Sequence, residues 1–178
     1  SKQVVPQKKE KDQVIRYFIS YAHDDEIDQK KLCKLLKQRL DSYNGYHFKA
    51  WDDSEILTGE NWRDQISNAL SCCQFGLLLV SPAFLASKFI KENELPIFVG
   101  GDLRDPTKQR KAIPVALLHL SENLDLKGLQ NKQIFYYRHG KVQKSFNECK
   151  TRTDQIAFSD KLFDQIAEIV KKANRGGL

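Results

Sequence analysis

The sequence of 178 residues has no methionine and no long run of apolar residues. No apolar stretch approaches the roughly 18 to 20 residues that a membrane-spanning helix needs, so we expect no membrane partner. The first twelve residues are polar and rich in lysine, unlike a secretory signal peptide, and this favours the cytoplasm. Because an initiator methionine is missing, we expect a processed chain or an excised fragment of a longer protein.

Three glycine-dependent site motifs are also missing. No glycine precedes Gly45, so the first strand-to-helix turn cannot be the glycine-rich turn of a Rossmann dinucleotide site. The chain contains neither the G-x-x-x-x-G-K-[ST] phosphate loop nor the G-x-S-x-G nucleophile elbow. These absences exclude Rossmann dehydrogenases, P-loop nucleotide hydrolases and serine hydrolases of the α/β type.

Cysteine is sparse, and the positive charge is concentrated at the two ends. The four cysteines, Cys33, Cys72, Cys73 and Cys149, show no C-x-x-C spacing, so we expect reduced thiols and no metal site. Much of the basic excess behind the net charge of +6 lies in Lys2, Lys8, Lys9, Lys11, Lys171, Lys172 and Arg175. No helix-turn-helix spacing or aromatic RNA-binding signature accompanies these charges, so a nucleic-acid partner is not expected.

Apolar patterns that alternate between strand and helix periods predict the fold. Strands are predicted at residues 14–21, 47–51, 75–80, 112–118 and 133–137. Helices are predicted at residues 27–40, 62–73, 82–97 with an interruption at Pro96, and at the C-terminus with Ser159 as its cap. The alternation predicts a flavodoxin-like, three-layer α/β fold with a central five-stranded parallel sheet. We place this domain at residues 14–173, between an N-terminal tail (1–13) and a C-terminal tail (174–178).

The loops that follow Tyr21, Trp51 and Val80 should form the functional edge of this sheet. Ligands of open parallel sheets bind outside the carboxyl ends of the strands. The pair Asp24-Asp25 after the first strand resembles the acidic pair of a response-regulator receiver. However, a receiver needs a phospho-accepting aspartate at the end of the third strand, and Ser81 occupies that position. A receiver domain is therefore excluded.

Four short blocks of sequence, in order, resemble the TIR (Toll/interleukin-1 receptor) domain family. They are residues 17–21 (YFISY), 51–62 (from WDD through Gly59 to Trp62), 78–87 (LLVSPAFLAS) and 94–96 (ELP). Each block alone is weak, but their order and spacing match the family over residues 14–99. The resemblance is closest to bacterial-type members, many of which are NAD glycohydrolases.

This resemblance implies a set of site residues. The catalytic glutamate of the family matches Glu94, with Glu92 as the competing candidate. The implied substrate-binding residues are Tyr21, Ala22, His23, Asp52, Trp62, Ser87 and Phe89. Core packing for Phe89, helix anchoring for Trp62 and a solvated turn for Asp52 remain open alternatives. NAD would be the substrate and not a cofactor, and no cofactor or metal is implied.

A carboxylate suits the implied chemistry, because breaking the nicotinamide-ribose bond develops an oxocarbenium-like cation. The resemblance therefore implies an NAD glycohydrolase of prokaryotic immune signalling that is activated by self-association through TIR–TIR contacts. Two alternatives stay open at this stage. One is a non-catalytic TIR interaction module, an adaptor, and the other is a sensor that binds a nucleotide without cleaving it. A glutamate at the catalytic position favours the enzyme.

Overall fold

The central sheet has four parallel strands in the order β2-β1-β3-β4. A computed structural model describes residues 12–52, 62–99 and 111–176. The sheet strands are β1 (Gln13–Ser20), β2 (Tyr46–Asp52), β3 (Phe75–Val80) and β4 (Lys111–Ala116). The helices are α1 (Glu26–Asp41), α2 (Trp62–Cys72), α3 (Pro82–Ala86), α4 (Lys88–Asn93), α5 (Leu95–Val99) and α6 (Arg152–Gly176). Parallel strands connected by helices confirm the flavodoxin-like α/β prediction.

The fifth predicted strand, residues 133–137, is not a strand in the described part of the chain. Only Phe135 pairs with β4, through a parallel bridge to Val115. From Tyr137 onward the chain instead forms an antiparallel hairpin of β5 (Tyr137–His139) and β6 (Val142–Lys144). Tyr137, the last residue of the predicted strand, pairs with Lys144 of the hairpin, and pairing with β4 is limited to Phe135.

The single helix predicted after β3 is three short helices, α3, α4 and α5. Each of the first two begins at a serine: Ser81 Oγ accepts the amide of Phe84, and Ser87 Oγ accepts that of Ile90. Pro96 has no N–H to donate to the carbonyl four residues earlier, so α4 ends at Asn93 and a new helix starts. The expected interruption at Pro96 is confirmed, and it leaves Glu94 at the junction of α4 and α5.

The last helix, α6, begins earlier than the sequence predicts. Thr151 Oγ1 accepts the amide of Asp154 at 3.1 Å and caps the helix at its N-terminus. The prediction that Ser159 caps this helix is wrong. Ser159 is buried inside α6, where its hydroxyl donates to the carbonyl of Gln155 at 2.9 Å. The helix continues through Gly176.

Alternate side chains of β1 belong to two separate apolar cores. Tyr17 and Ile19 belong to the core that contains residues of α1 and α6, whereas Phe18 belongs to the core that contains residues of α2, α3, α4 and α5. In the second core Gly76 admits the ring of Phe98, since a Cβ built on Gly76 would lie 2.3 Å from Phe98 Cε1. This contact holds α5 directly against β3.

Candidate functional site

The strand order places a topological switch point, where open α/β sheets form their ligand crevice, at the carboxyl ends of β1 and β3. From β1 the chain crosses to β2 on one side, and β3 then pairs with the opposite side of β1. In open α/β sheets this reversal of direction is the place where ligands bind. Ser20 is the last residue of β1, and Ser81 directly follows β3. Residues that reach these two serines therefore surround the expected ligand site.

Glu94 reaches this crevice from the junction of α4 and α5. Its side chain is buried, with 1% of the residue exposed, and Ser20 Oγ donates a hydrogen bond to Glu94 Oε2 at 2.6 Å. That distance lies in the normal range for an O–H···O hydrogen bond. The last residue of a central strand thus holds the carboxylate at the switch point of the sheet.

A second buried carboxyl group, Asp25, is held on the same edge. Ser81 Oγ donates a short hydrogen bond to Asp25 Oδ2 while accepting the amide of Phe84. The two pairs are crossed: the β1 serine holds a carboxylate that follows β3, and the serine after β3 holds a carboxylate that follows β1. These crossed pairs tie the segments after β1 and β3 together across the sheet edge.

Burial of Asp25 gives the protein a pH-dependent stability. Desolvation raises the pKa of the Asp25 carboxyl above 3.8, with further raising contributions from Asp28 and Asp24 and an opposing one from the Ser81 hydrogen bond. The folded-state pKa is therefore above that of the unfolded chain. Stability from this group is fully present below the unfolded-state pKa and is lost as the pH rises through the folded-state pKa.

We expect Asp25→Asn to remove the loss of stability that ionisation of Asp25 causes at higher pH. The amide does not ionise, and its oxygen still accepts the Ser81 hydroxyl proton. Chemical denaturation of the wild type and the variant, repeated from pH 3.5 upward, measures the effect. As the pH rises, the unfolding free energy of Asp25→Asn should increase relative to that of the wild type. A difference that is constant with pH would contradict a raised pKa at Asp25.

The predicted residues of the first loop divide into buried and exposed groups. Tyr21 and Ala22 are buried, each in a different core. His23 is exposed, and its ring lies edge-on to Tyr21 with 5.9 Å between the ring centroids. Of these three, His23 is the residue whose side chain is open to solvent at the carboxyl edge.

The residues predicted around Glu94 have distinct surroundings. Ser87 is half-buried and caps α4, and Phe89 is half-buried against the core beside α2. Glu92 is exposed and pairs with Lys88 at 3.9 Å, one turn away on the same helix. Asp52 ends β2 and Trp62 begins α2, but their side chains lie outside the described residues. Of the two candidate glutamates, only Glu94 is buried at the switch point.

Three residues of the site, Ser20, Asp25 and Ser81, were not predicted as site residues from the sequence. Ser20 is the only serine or threonine of β1, and this is the signal that could have marked it. Asp25 stands in an acidic loop, and nothing in its local sequence reveals the distant serine that holds it.

Metal-binding clusters and membrane-spanning helices are both absent from the residues that the structure describes. These residues contain no group of three metal-ligating side chains and no helix that is long and apolar enough to cross a membrane. The four cysteines, all among the described residues, form no disulfide bond. Burial raises the pKa of the Cys149 thiol to about 11, so Cys149 is not a thiolate nucleophile at neutral pH.

Comparison with known proteins identifies the family. The family profile described as the TIR domain matches residues 18–150, roughly three quarters of the chain. No curated protein and no solved structure matched the chain. The matched region runs from the last three residues of β1 through the hairpin and includes Ser20, Asp25, Ser81 and Glu94. The chain therefore belongs to the TIR domain family.

Proposed function

We propose that this TIR domain is an NAD glycohydrolase with Glu94 as its catalytic residue. The observation that supports the proposal is a buried carboxylate, held by Ser20 at 2.6 Å, at the switch point of the sheet. The resemblance to bacterial-type members extends the proposal to a cytoplasmic immune signalling pathway.

The chemistry needs a fixed negative charge more than a proton donor. Nicotinamide is a good leaving group without protonation, and its departure leaves positive charge on the ribose. A carboxylate held away from water stabilises that charge more strongly than one in bulk solvent, because the local dielectric constant is low. Water or the adenine of the same substrate then attacks the ribose, which gives ADP-ribose or a cyclic isomer.

The remaining residues of the edge are suited to substrate contacts of different kinds. Phe89, half-buried and five residues before Glu94, is an aromatic surface on which nicotinamide could stack. His23 is exposed on the neighbouring loop and offers a polar contact. We propose Tyr21, Ala22, Asp52, Trp62 and Ser87 as the rest of the substrate-binding set.

The burial of Glu94 indicates that the site must open before NAD can bind. With 1% of the residue exposed, Glu94 has no surface that a dissolved NAD molecule could touch in this conformation. Atoms around the carboxylate must move before the substrate can bind. We propose that contacts between copies of the domain stabilise the open conformation, which is otherwise a minor population.

We expect clustering to raise the rate of NAD cleavage per molecule by about tenfold or more. This increase corresponds to an open conformation that is roughly 1–10% populated in dispersed protein and becomes the main population in clustered protein. Nicotinamide release is measured for equal amounts of protein, either dilute in solution or immobilised at high density on a resin.

Glu94→Gln protein on the same resin controls for release that does not depend on the site. Equal rates for dispersed and clustered protein would contradict activation by assembly. If clustered wild type releases no nicotinamide, the adaptor function replaces the enzyme.

A further inference from the structure

We propose that Ser20 is a positioning residue for catalysis, and that its hydroxyl fixes the orientation of the Glu94 carboxylate. The inference rests on the proposed function, since it assigns a role within the same site. It concerns a strand residue that contacts the carboxylate and not the substrate.

The two ends of the hydrogen bond differ in rigidity. Ser20 belongs to β1, which is paired on both sides, with Ile19 opposite Asp52 and Ser20 opposite Leu78. Glu94 lies at a break between two helices of six and five residues, where its backbone has φ −115° and ψ −52°. The hydrogen bond therefore connects a side chain at a break between two short helices to the end of a strand that is paired on both sides.

Orientation is what such a contact adds to the chemistry. A glutamate has three side-chain torsions, and packing alone leaves the terminal carboxylate torsion broad. The 2.6 Å bond from a fully buried serine to Oε2 selects one orientation of the carboxylate plane. Small misplacements of a catalytic group lower rates strongly, up to about a hundredfold for roughly 1 Å.

The other crossed pair does not supply this orientation. Ser81 donates to Asp25 and accepts the amide of Phe84, so this pair holds the first loop against α3 and fixes the surroundings of the carboxylate. Among the described residues, Ser159 provides a matched serine for comparison. It is as buried as Ser20 and also donates one hydrogen bond, but it lies inside α6.

The test compares Ser20→Ala, Ser20→Thr and Ser159→Ala by steady-state nicotinamide release from NAD on clustered protein. We expect Ser20→Ala to lower kcat by about ten- to a hundredfold with KM changed less than about twofold, since the hydroxyl acts on the catalytic group and not on bound substrate. Ser20→Thr restores the hydroxyl in a strand that tolerates β-branched residues, and its kcat should recover to within about threefold of wild type. Ser159→Ala should keep the wild-type kcat.

Each contrary result identifies a different error. An unchanged kcat in Ser20→Ala would overturn the positioning role, and so would a raised KM with unchanged kcat. A loss that Ser20→Thr does not recover, or that Ser159→Ala reproduces, would show that the serine matters only for packing. Circular dichroism and thermal unfolding of all three variants establish that the folded fractions are comparable.

Failure of the proposed function has a separate outcome. If the wild type releases no nicotinamide, the enzyme proposal fails together with the positioning role. If Glu94→Gln is as active as the wild type, the assignment of Glu94 as the catalytic residue fails, and the positioning role of Ser20 fails with it. If Glu94→Gln abolishes release while Ser20→Ala keeps the wild-type kcat, only the role of Ser20 fails.

Discussion

Glu94→Gln should lower nicotinamide release from NAD by about 100- to 1,000-fold, the range seen when one preorganised electrostatic contact to a transition state is removed. Glutamine keeps the size of the side chain and an oxygen that accepts the Ser20 hydroxyl proton, but it carries no negative charge. The oxocarbenium-like cation would then develop without its stabilising anion. Steady-state release on clustered protein measures the effect.

Glu92→Gln is the matched control, since it makes the same chemical change two residues away. Glu92 is exposed and its partner Lys88 is exposed as well, so the pair contributes little and the rate should stay within about twofold of wild type. Loss of activity in Glu92→Gln with retention in Glu94→Gln would move the catalytic centre to Glu92. That outcome would leave the burial of Glu94 without a catalytic explanation.

Phe98→Ala should lower the free energy of unfolding by about 3–5 kcal/mol, the usual cost of removing a fully buried phenylalanine ring. The ring is wholly buried, fills the space above Gly76 in β3 and lies 6.3 Å from the ring of Phe18. Alanine would leave a cavity between α5 and the sheet. Since a domain of this kind has roughly 5–15 kcal/mol of stability in total, the loss is large. Urea denaturation at constant pH measures it.

Phe158→Ala separates stability from activity. Phe158 is equally buried, but it lies in the core on the opposite face, where its ring packs edge-on against Phe135 and Phe146. We expect a similar loss of stability, whereas only Phe98→Ala should also slow NAD cleavage by protein that remains folded. Phe98 belongs to α5, which starts directly after Glu94. A loss below about 1 kcal/mol for Phe98→Ala would contradict the packing of α5 on Gly76.

Periodicity and end signals in the sequence predicted most elements of the fold. The apolar run at residues 75–80 is β3, and the interruption at Pro96 separates α4 from α5. Predictions failed where another segment forms the backbone pairs, or another residue forms the helix cap, that the local sequence suggests. Residues 133–137 have strand composition, yet within them only Phe135 pairs with β4, and from Tyr137 the chain pairs within a hairpin. Ser159 has the chemistry of a cap, but Thr151 stands earlier and performs that role.

The candidate site was predictable in its residue types and not in its connections. The resemblance to TIR domains points to Glu94 and to the first loop, and the strand order explains why these segments meet. The hydrogen bonds of Ser20 with Glu94 and of Ser81 with Asp25 join residues 74 and 56 positions apart. Local sequence contains no information on such pairs, because they depend on how two loops pack over one sheet edge.

The most direct measurement for the enzyme proposal is product analysis of NAD incubated with clustered wild-type protein, by chromatography or proton NMR. We expect nicotinamide to appear in equal amount with ADP-ribose or a cyclic isomer, and about 100- to 1,000-fold less of these products with clustered Glu94→Gln. NAD that stays intact with clustered, folded wild type, or cleavage that continues undiminished in Glu94→Gln, would contradict the assignment of Glu94 as the catalytic residue of an NAD glycohydrolase.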